Sequence, residues 1–167
     1  MIERKSLFDY IQNVAVSCVA IHSFVLGFHN VAIHKDDIFS TYPKLEYLFF
    51  VLPIVYHKKS MEVFKVSHSI VRALEKDKFI NIGLQERAIK MIAQTYDGLN
   101  LSFNKEILNI NKELMTIELL DPYNKNGLPL TKDNQSIRNI QRAASNLGNI
   151  FAKTDERSLQ SMLNIRF

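Results

Sequence analysis

Hydrophobic and polar positions alternate along this chain with periods that change from one stretch to the next. From Tyr10 to His34 there are twenty-five residues without a formal charge. Gln12, Asn13, Ser17, His22, Ser23, His29 and Asn30 are spread through that window. Most of these groups are costly in hydrocarbon, which argues against a bilayer span. The stretch therefore predicts a long helix, about Ser6 to Phe28, buried on most of its circumference. Ser6 is placed to cap it and Asp9 to sit in its first turn, while Gly27 and Asn30 supply stop signals. An uncharged helix of this kind can also belong to an interface.

Lys35 to Pro43 has the turn chemistry of a connection, with Asp36-Asp37 and Ser40-Thr41-Tyr42-Pro43. The densest apolar run follows, LEYLFFVLPIVYHKK from Leu45 to Lys59, free of charge between Tyr47 and Tyr56. It is too short to cross a bilayer, which takes roughly 20 residues, and reads as core. Pro53 disfavours helix at Leu52, so the expectation is a helix over Leu45–Val51 followed by a kink. Ser60 is placed to cap a helix to Lys76, with Glu62 in its first turn and Lys76 and Lys78 at its far end. Phe64, Ser67, Val71 and Leu74 trace its inner face, widened by Val63 and Ile70.

Asn81-Ile82-Gly83 restarts the chain into a helix over Leu84–Ala93, with Leu84, Ala88, Met91 and Ile92 on its apolar side. Thr95 is a candidate cap for a third helix, Tyr96–Asn104, which Gly98 weakens. The period then drops to two: Leu108 and Ile110 form one alternating set and Met115, Ile117 and Leu119 another. Asn111-Lys112-Glu113 lies between them as a hairpin loop would. Short helices followed by a hairpin suggest a winged helix-turn-helix. Asp121–Leu130 is a loop by composition. A last long helix is expected over Asp133–Ala152, with Ile137, Ile140, Ala144, Leu147 and Phe151 inward and Arg138 and Arg142 on another face. Thr154 or Asp155 caps a closing helix carrying Leu159, Met162 and Leu163. The expected fold is mainly α with a small β-hairpin (α+β), a helical domain with a winged helix-turn-helix-like core. It is read as one domain over residues 1–167, with an N-terminal helical part (1–59), a winged-helix-like part (60–120) and C-terminal helices (131–167).

Composition changes this picture little. A hydrophobic content of 47% beside 23% charged residues suits an ordinary folded domain. The single cysteine, Cys18, excludes an internal disulfide framework and fits a reducing compartment, here taken as the cytoplasm. Net charge runs −1, +4, −2 and +3 over residues 1–56, 57–90, 91–120 and 121–167, a weak nucleic-acid footprint. The third helix, which would enter a major groove, carries no Arg or Lys, so specific DNA readout is not expected. Arg72, Lys76, Lys78, Arg87 and Lys90 offer at most a modest, non-specific phosphate-contacting patch, or a solvated face. The five histidines form no metal-ligand spacing and the five glycines no phosphate-cradling loop. No catalytic, metal or cofactor residues are assigned.

The stretch LEYLFFVLPIVYHKKSMEVFK, Leu45 to Lys65, resembles the "LPxxxHK" segment of the middle component of three-component ABC ATPase systems, a group that the small subunit of Lamassu defence systems also resembles. Arg87 in GLQERAIKM and the ending AASNLGNIFAKTDERSLQSMLNIRF, Ala143 to Phe167, are similar to the same family in the same order. One departure is Phe167, where the family often continues with Pro after its final Arg. The resemblance implies a non-catalytic accessory subunit without cofactors. Its partners would be an ABC ATPase resembling structural-maintenance-of-chromosomes proteins and a separate effector, in bacterial defence against phage or plasmids.

Candidate partner-binding residues on this reading are His57, Lys58, Lys59, Arg87, Arg138 and Arg142, with an apolar face at Leu147, Gly148 and Phe151. Gly148 permits close backbone approach, to a partner or within the core. His57-Lys58-Lys59 either meets an acidic surface or bounds the core with solvent. A stand-alone winged-helix DNA-binding protein is the alternative.

Overall fold

The structure is a computed structural model and describes residues 13–36, 40–130 and 134–167. Nine helices and one hairpin follow in order among these residues. They are α1 (Val14–Ala32), α2 (Leu45–Leu48), α3 (Val51–Val55), α4 (Lys58–Phe64), α5 (Ile70–Lys76), α6 (Leu84–Lys90), α7 (Ile92–Asn104), β1 (Leu108–Asn111), β2 (Thr116–Leu119), α8 (Gln135–Lys153) and α9 (Glu156–Leu163). The mainly helical class with a small antiparallel hairpin is as the sequence predicts.

The chain wraps around α1, which packs on α8, α7, α3 and β2. Among the described residues α1 is the one helix long and apolar enough to cross a membrane, by length and composition only. Its surface is consumed inside the fold: Ser17, Cys18 and every residue from Ala20 to Phe28 are buried. Asn13 caps it through a bond from Ala15 N–H to Oδ1. The expected cap at Ser6, and Asp9, lie outside the described residues, as does Asp133.

Gly27 and Asn30 do not stop α1, which runs on to Ala32. Gly27 is instead a crossing point. A Cβ there would run into the backbone carbonyl of Ser145 on α8, with its carbon at 2.8 Å. Gly148 on α8 is the reciprocal position: a Cβ would collide with the Phe24 carbonyl and sit 2.7 Å from the Phe28 nitrogen. The two backbones approach because each lacks a side chain where the other passes. Gly98 serves α7 likewise, since a Cβ there would lie 2.8 Å from Ser17 Cβ and 2.9 Å from Ile21 Cδ1. The intrinsic weakness that Gly98 brings to α7 is offset by this contact, and the helix runs unbroken through it.

Other boundaries move for local reasons. The break in the Leu45–Val55 run falls at Phe49–Phe50, not after Val51. Pro53 then occupies the first turn of α3, where its missing N–H is not needed and its ring clashes with no helical carbonyl. The helix expected over Ser60–Lys76 is two helices. His57 caps α4 through Ser60 N–H, and Ser69 caps α5 through Arg72 N–H at 3.2 Å. Ser67 turns its hydroxyl back to the Val63 carbonyl at 2.7 Å, favouring termination there. The break rotates Val71 out of the inner face, and it is exposed.

Thr95 does not cap a third helix; its hydroxyl bonds to the Met91 carbonyl inside α7. Only Met91 separates α6 from α7. A helix-turn-helix joins its helices by three or four residues, so the expected junction is absent. The face of α7 with Thr95, Gly98, Leu99 and Ser102 is buried.

The hairpin pairs Leu108 with Leu119, Asn109 with Glu118, Ile110 with Ile117 and Asn111 with Thr116. The second edge of β2 is covered by Pro43–Leu45: Ile117 N–H donates to the Pro43 carbonyl and Leu45 N–H to the Met115 carbonyl. At the far end of the chain α8 and α9 start on side-chain caps from Asn134 and Asp155. One continuous apolar cluster draws residues from all three parts of the chain.

Replacing Gly148 by Ala should lower the denaturation free energy by about 2 kcal/mol or more, the range of overpacking against unyielding backbone. Gly127→Ala, which meets only the tip of Gln141, should be close to neutral. Chemical denaturation with circular dichroism compares the two.

Candidate interaction surfaces

The positions singled out in the sequence separate into an interior set and a surface set. Leu147, Gly148 and Phe151 are interior. Gly148 seats α8 on α1, Leu147 is enclosed, and the Phe151 ring packs edge-on to Phe24 at 5.3 Å and Tyr47 at 5.6 Å. They hold the fold together and present no apolar face, which corrects the expectation of docking there. Among the described residues the N-terminal helix, α1, is likewise buried along most of its length.

The stretches that carry the family likeness pack on one another. Tyr47 and Phe50 from the Leu45 run hold the ring of Phe167 at 4.7 and 5.4 Å. Lys44 Nζ bonds to the Glu156 carboxylate, which raises the lysine's affinity for its proton. The Arg166 N–H donates to Gln85 Oε1 at 2.9 Å, and Asn81 Nδ2 donates to the Met162 carbonyl at 3.1 Å. Ser17 and Tyr56 share a hydroxyl bond of 2.9 Å in the interior, and burial pushes the Tyr56 phenol up to about 12.

His57, Lys58 and Lys59 are exposed at the start of α4, and Arg87 lies half-buried beside them. Arg87 donates from Nη2 to the Ile80 carbonyl at 3.1 Å; its Nε and Nη1 meet no acceptor among the described residues. Burial disfavours its charge. His57 Nδ1 accepts from Ser60 N–H and lies 2.8 Å from Ser60 Oγ. Partial burial, then the positive charges of Arg87 and Lys59, hold its pKa below the ordinary value, against a smaller opposite pull from Asp77. Arg138 and Arg142 are exposed on α8, along a cleft with Ser23, Leu26 and Gln141 whose lining includes none of His57, Lys58, Lys59 and Arg87.

Two further histidines, His22 and His29, are occupied structurally. His22 Nε2–H donates to the Tyr123 carbonyl at 2.9 Å, and burial lowers its pKa. His29 bonds to the Thr41 carbonyl and stacks on Tyr42 with ring centres 4.4 Å apart. Cys18 accepts from the Ser102 hydroxyl in the interior, and burial raises its pKa.

A surface the sequence did not disclose runs across the joint between α2 and α3. Two adjoining hollows of about 360 and 310 Å³ share Glu46 and Phe49. One continues to Leu114 and Met115 at the hairpin tip. The other continues to Ile89, Ile92 and Tyr96 on the α6–α7 ridge and ends at Arg166 and Phe167. Phe49 and Tyr96 meet edge to face at 5.3 Å in its middle. Ile92 reads as core in the sequence because it continues the apolar side of α6. The one-residue junction at Met91 turns it outward instead.

With this geometry in hand, comparison with known families is informative. The family model of the ABC-three component (ABC-3C) system Middle Component 3 matches residues 1–167, so the chain belongs to that family and is a middle component of a three-component ABC system. No curated protein matches, and no solved structure matches.

Because His57 binds its proton less tightly folded than unfolded, the unfolded chain takes up the extra proton between the two values. The stability it lends is present above about pH 6.5 and is lost as pH falls through the folded value. Protonated Nδ1 can no longer accept from Ser60 N–H. His57→Asn keeps a capping acceptor without a titration. Its denaturation midpoint should fall less than the wild type's between about pH 7 and about pH 5. The remaining acid sensitivity should follow His22, whose Nδ1 has no partner.

Proposed function

We propose that this middle component is a non-catalytic bridge, cytoplasmic, that joins an ABC ATPase resembling structural-maintenance-of-chromosomes proteins to a separate effector. The assembly would act in bacterial defence against phage or plasmids, as a Lamassu-like system. The observation that carries the reading is the family match along all 167 residues. It places the protein among systems with further components, and a bridge needs at least two separate contact surfaces. The His57–Arg87 corner, the Arg138–Arg142 side of α8 and the Phe49 groove are three candidates. The cationic two suit acidic protein surfaces or the backbone of nucleic acid held by the ATPase. The alternative of a stand-alone DNA reader draws no support from α7, whose sequence IAQTYDGLNLSFN carries no cation.

Co-expression with the flanking genes tests the reading. The chain should co-purify with the ATPase in fixed proportion and survive gel filtration at micromolar concentration. Recovery as a free chain would end this proposal. The isolated chain should leave duplex DNA unshifted at low salt. A shift lost with Lys90→Glu and weakening steeply with salt would favour the DNA reading instead.

A further inference from the structure

The Phe49 groove is built from four separate places in the chain. Its walls are the α2–α3 joint, the α6–α7 ridge, the hairpin tip and the C-terminal residues. Ile89, Ile92 and Tyr96 project from the ridge at intervals of three and four, and are 60%, 40% and 49% exposed. Opposite them Leu114 and Met115 are 38% and 51% exposed. The tip is held firmly in that display. Asn111 Oδ1 accepts from both Glu113 N–H and Leu114 N–H, and the Leu45 N–H bond at 2.8 Å fixes the Met115 carbonyl. Met115 is kept at φ 52, a left-handed conformation that is unfavourable for a long side chain. An exposed methionine in a strained backbone contributes nothing to this chain's own core.

We infer that this groove takes an amphipathic helix from another component of the three-component system. Its apolar stripe would lie between the ridge and the hairpin tip, with a carboxylate at the end near Arg166. The inference rests on the bridging reading above and names one of its surfaces. Side chains spaced three and four apart on a ridge accept the matching ridge of a second helix, as in helix-in-groove recognition. Strand addition is disfavoured here, because Pro43–Leu45 already covers the second edge of β2. Arg166 has no acidic partner among the described residues, while Glu46 in the groove centre shares Lys44 with Glu156. The groove thus carries an unpaired cation at its Arg166 end. The largest apolar patch on a typical monomer is of the order of 300–600 Å² and is often functional. A standard two-protein interface takes about 800 Å² from each partner, so the patch suits one helix better than a second copy of this chain.

The test uses the complex obtained by co-expressing the full chain with its flanking components. A photo-crosslinking benzoylphenylalanine at Met115 or Tyr96 should attach to one other component, within a segment of helical apolar periodicity. Ile89→Asp and Tyr96→Asp should weaken association about tenfold or more, as for central contact residues. Arg166→Glu should weaken it less and mostly at low salt. Circular dichroism of the isolated variants should match the wild type, with only Tyr96→Asp lowering the thermal midpoint slightly through its lost contact with Phe49. Val71→Asp on α5, equally exposed but outside the groove, should leave association unchanged. Wild-type assembly that persists undiminished in both Asp variants would overturn the groove while leaving the bridging reading intact. Crosslinks to a second copy, with a concentration-dependent dimer abolished by Tyr96→Asp, would overturn it in favour of self-association. A wild-type chain that joins no component would remove the bridging reading and this inference together.

Discussion

The architecture depends on how closely α1 and α8 can approach. Gly27 faces the Ser145 backbone and Gly148 faces Phe24 and Phe28, so each helix supplies the gap through which the other passes. Close approach brings Phe24 and Phe151 edge to face and lets α1 be apolar on nearly every side without a membrane around it. A helix buried all round must be covered in every direction. The elements α3, α7 and β2 supply that cover, and Gly98 allows α7 to reach Ser17 and Ile21. The rest of the fold follows from enclosing this one helix.

That enclosure decides where function can reside. Leu147, Gly148 and Phe151 have the composition of a docking face, yet their contacts are already made within the chain. The aromatic set Phe24, Phe28, Tyr47, Phe50, Phe151 and Phe167 links α1, α8, the Leu45 run and the C-terminal residues in one unbroken series. The segments whose family likeness is plainest in sequence are thus those that lock together. A family signature of this kind identifies the fold. The surfaces free to meet a partner draw on the outer side of the same stretches, since Phe49, His57, Lys58, Lys59 and Arg166 lie within them.

Legibility followed the range of the interaction that set each feature. The hairpin, the closing helix and the α8 stripe rest on contacts within a few residues, and the pattern of the chain discloses them. Gly27 reads as a stop signal because nothing local marks it as a crossing point, and its partner Ser145 is more than a hundred residues away. Pro53 announced a break but not its place, which is fixed by the need to put proline in the first turn of α3. The cap at Ser69 is masked in the sequence because the apolar positions from Phe64 to Leu74 fit one helix so well. Exposure of Ile92, Tyr96 and Met115 was not legible at all. Apolar residues at helical spacing predict a buried face, and only the single-residue junction at Met91 and the left-handed turn at Met115 reverse that.

The groove and the core are mechanically one object. Phe50 and Phe167 line the groove; Phe50 packs on Phe167, Phe167 on Tyr47, and Tyr47 on Phe151 of α8. The floor of the proposed docking site is therefore the outer layer of the packing that fixes α8 on α1. Its opposite wall, the hairpin tip, is tied to the same floor by the bonds from Leu45 and Ile117. Any ligand that binds only this assembled surface stabilises the folded chain by mass action, in proportion to the logarithm of its concentration over its dissociation constant. Occupancy of the groove and integrity of the α1–α8 crossing thereby favour each other. This reciprocity requires no conformational switch, because the same side chains serve both contacts: their inner edges complete the core and their outer edges remain for the partner.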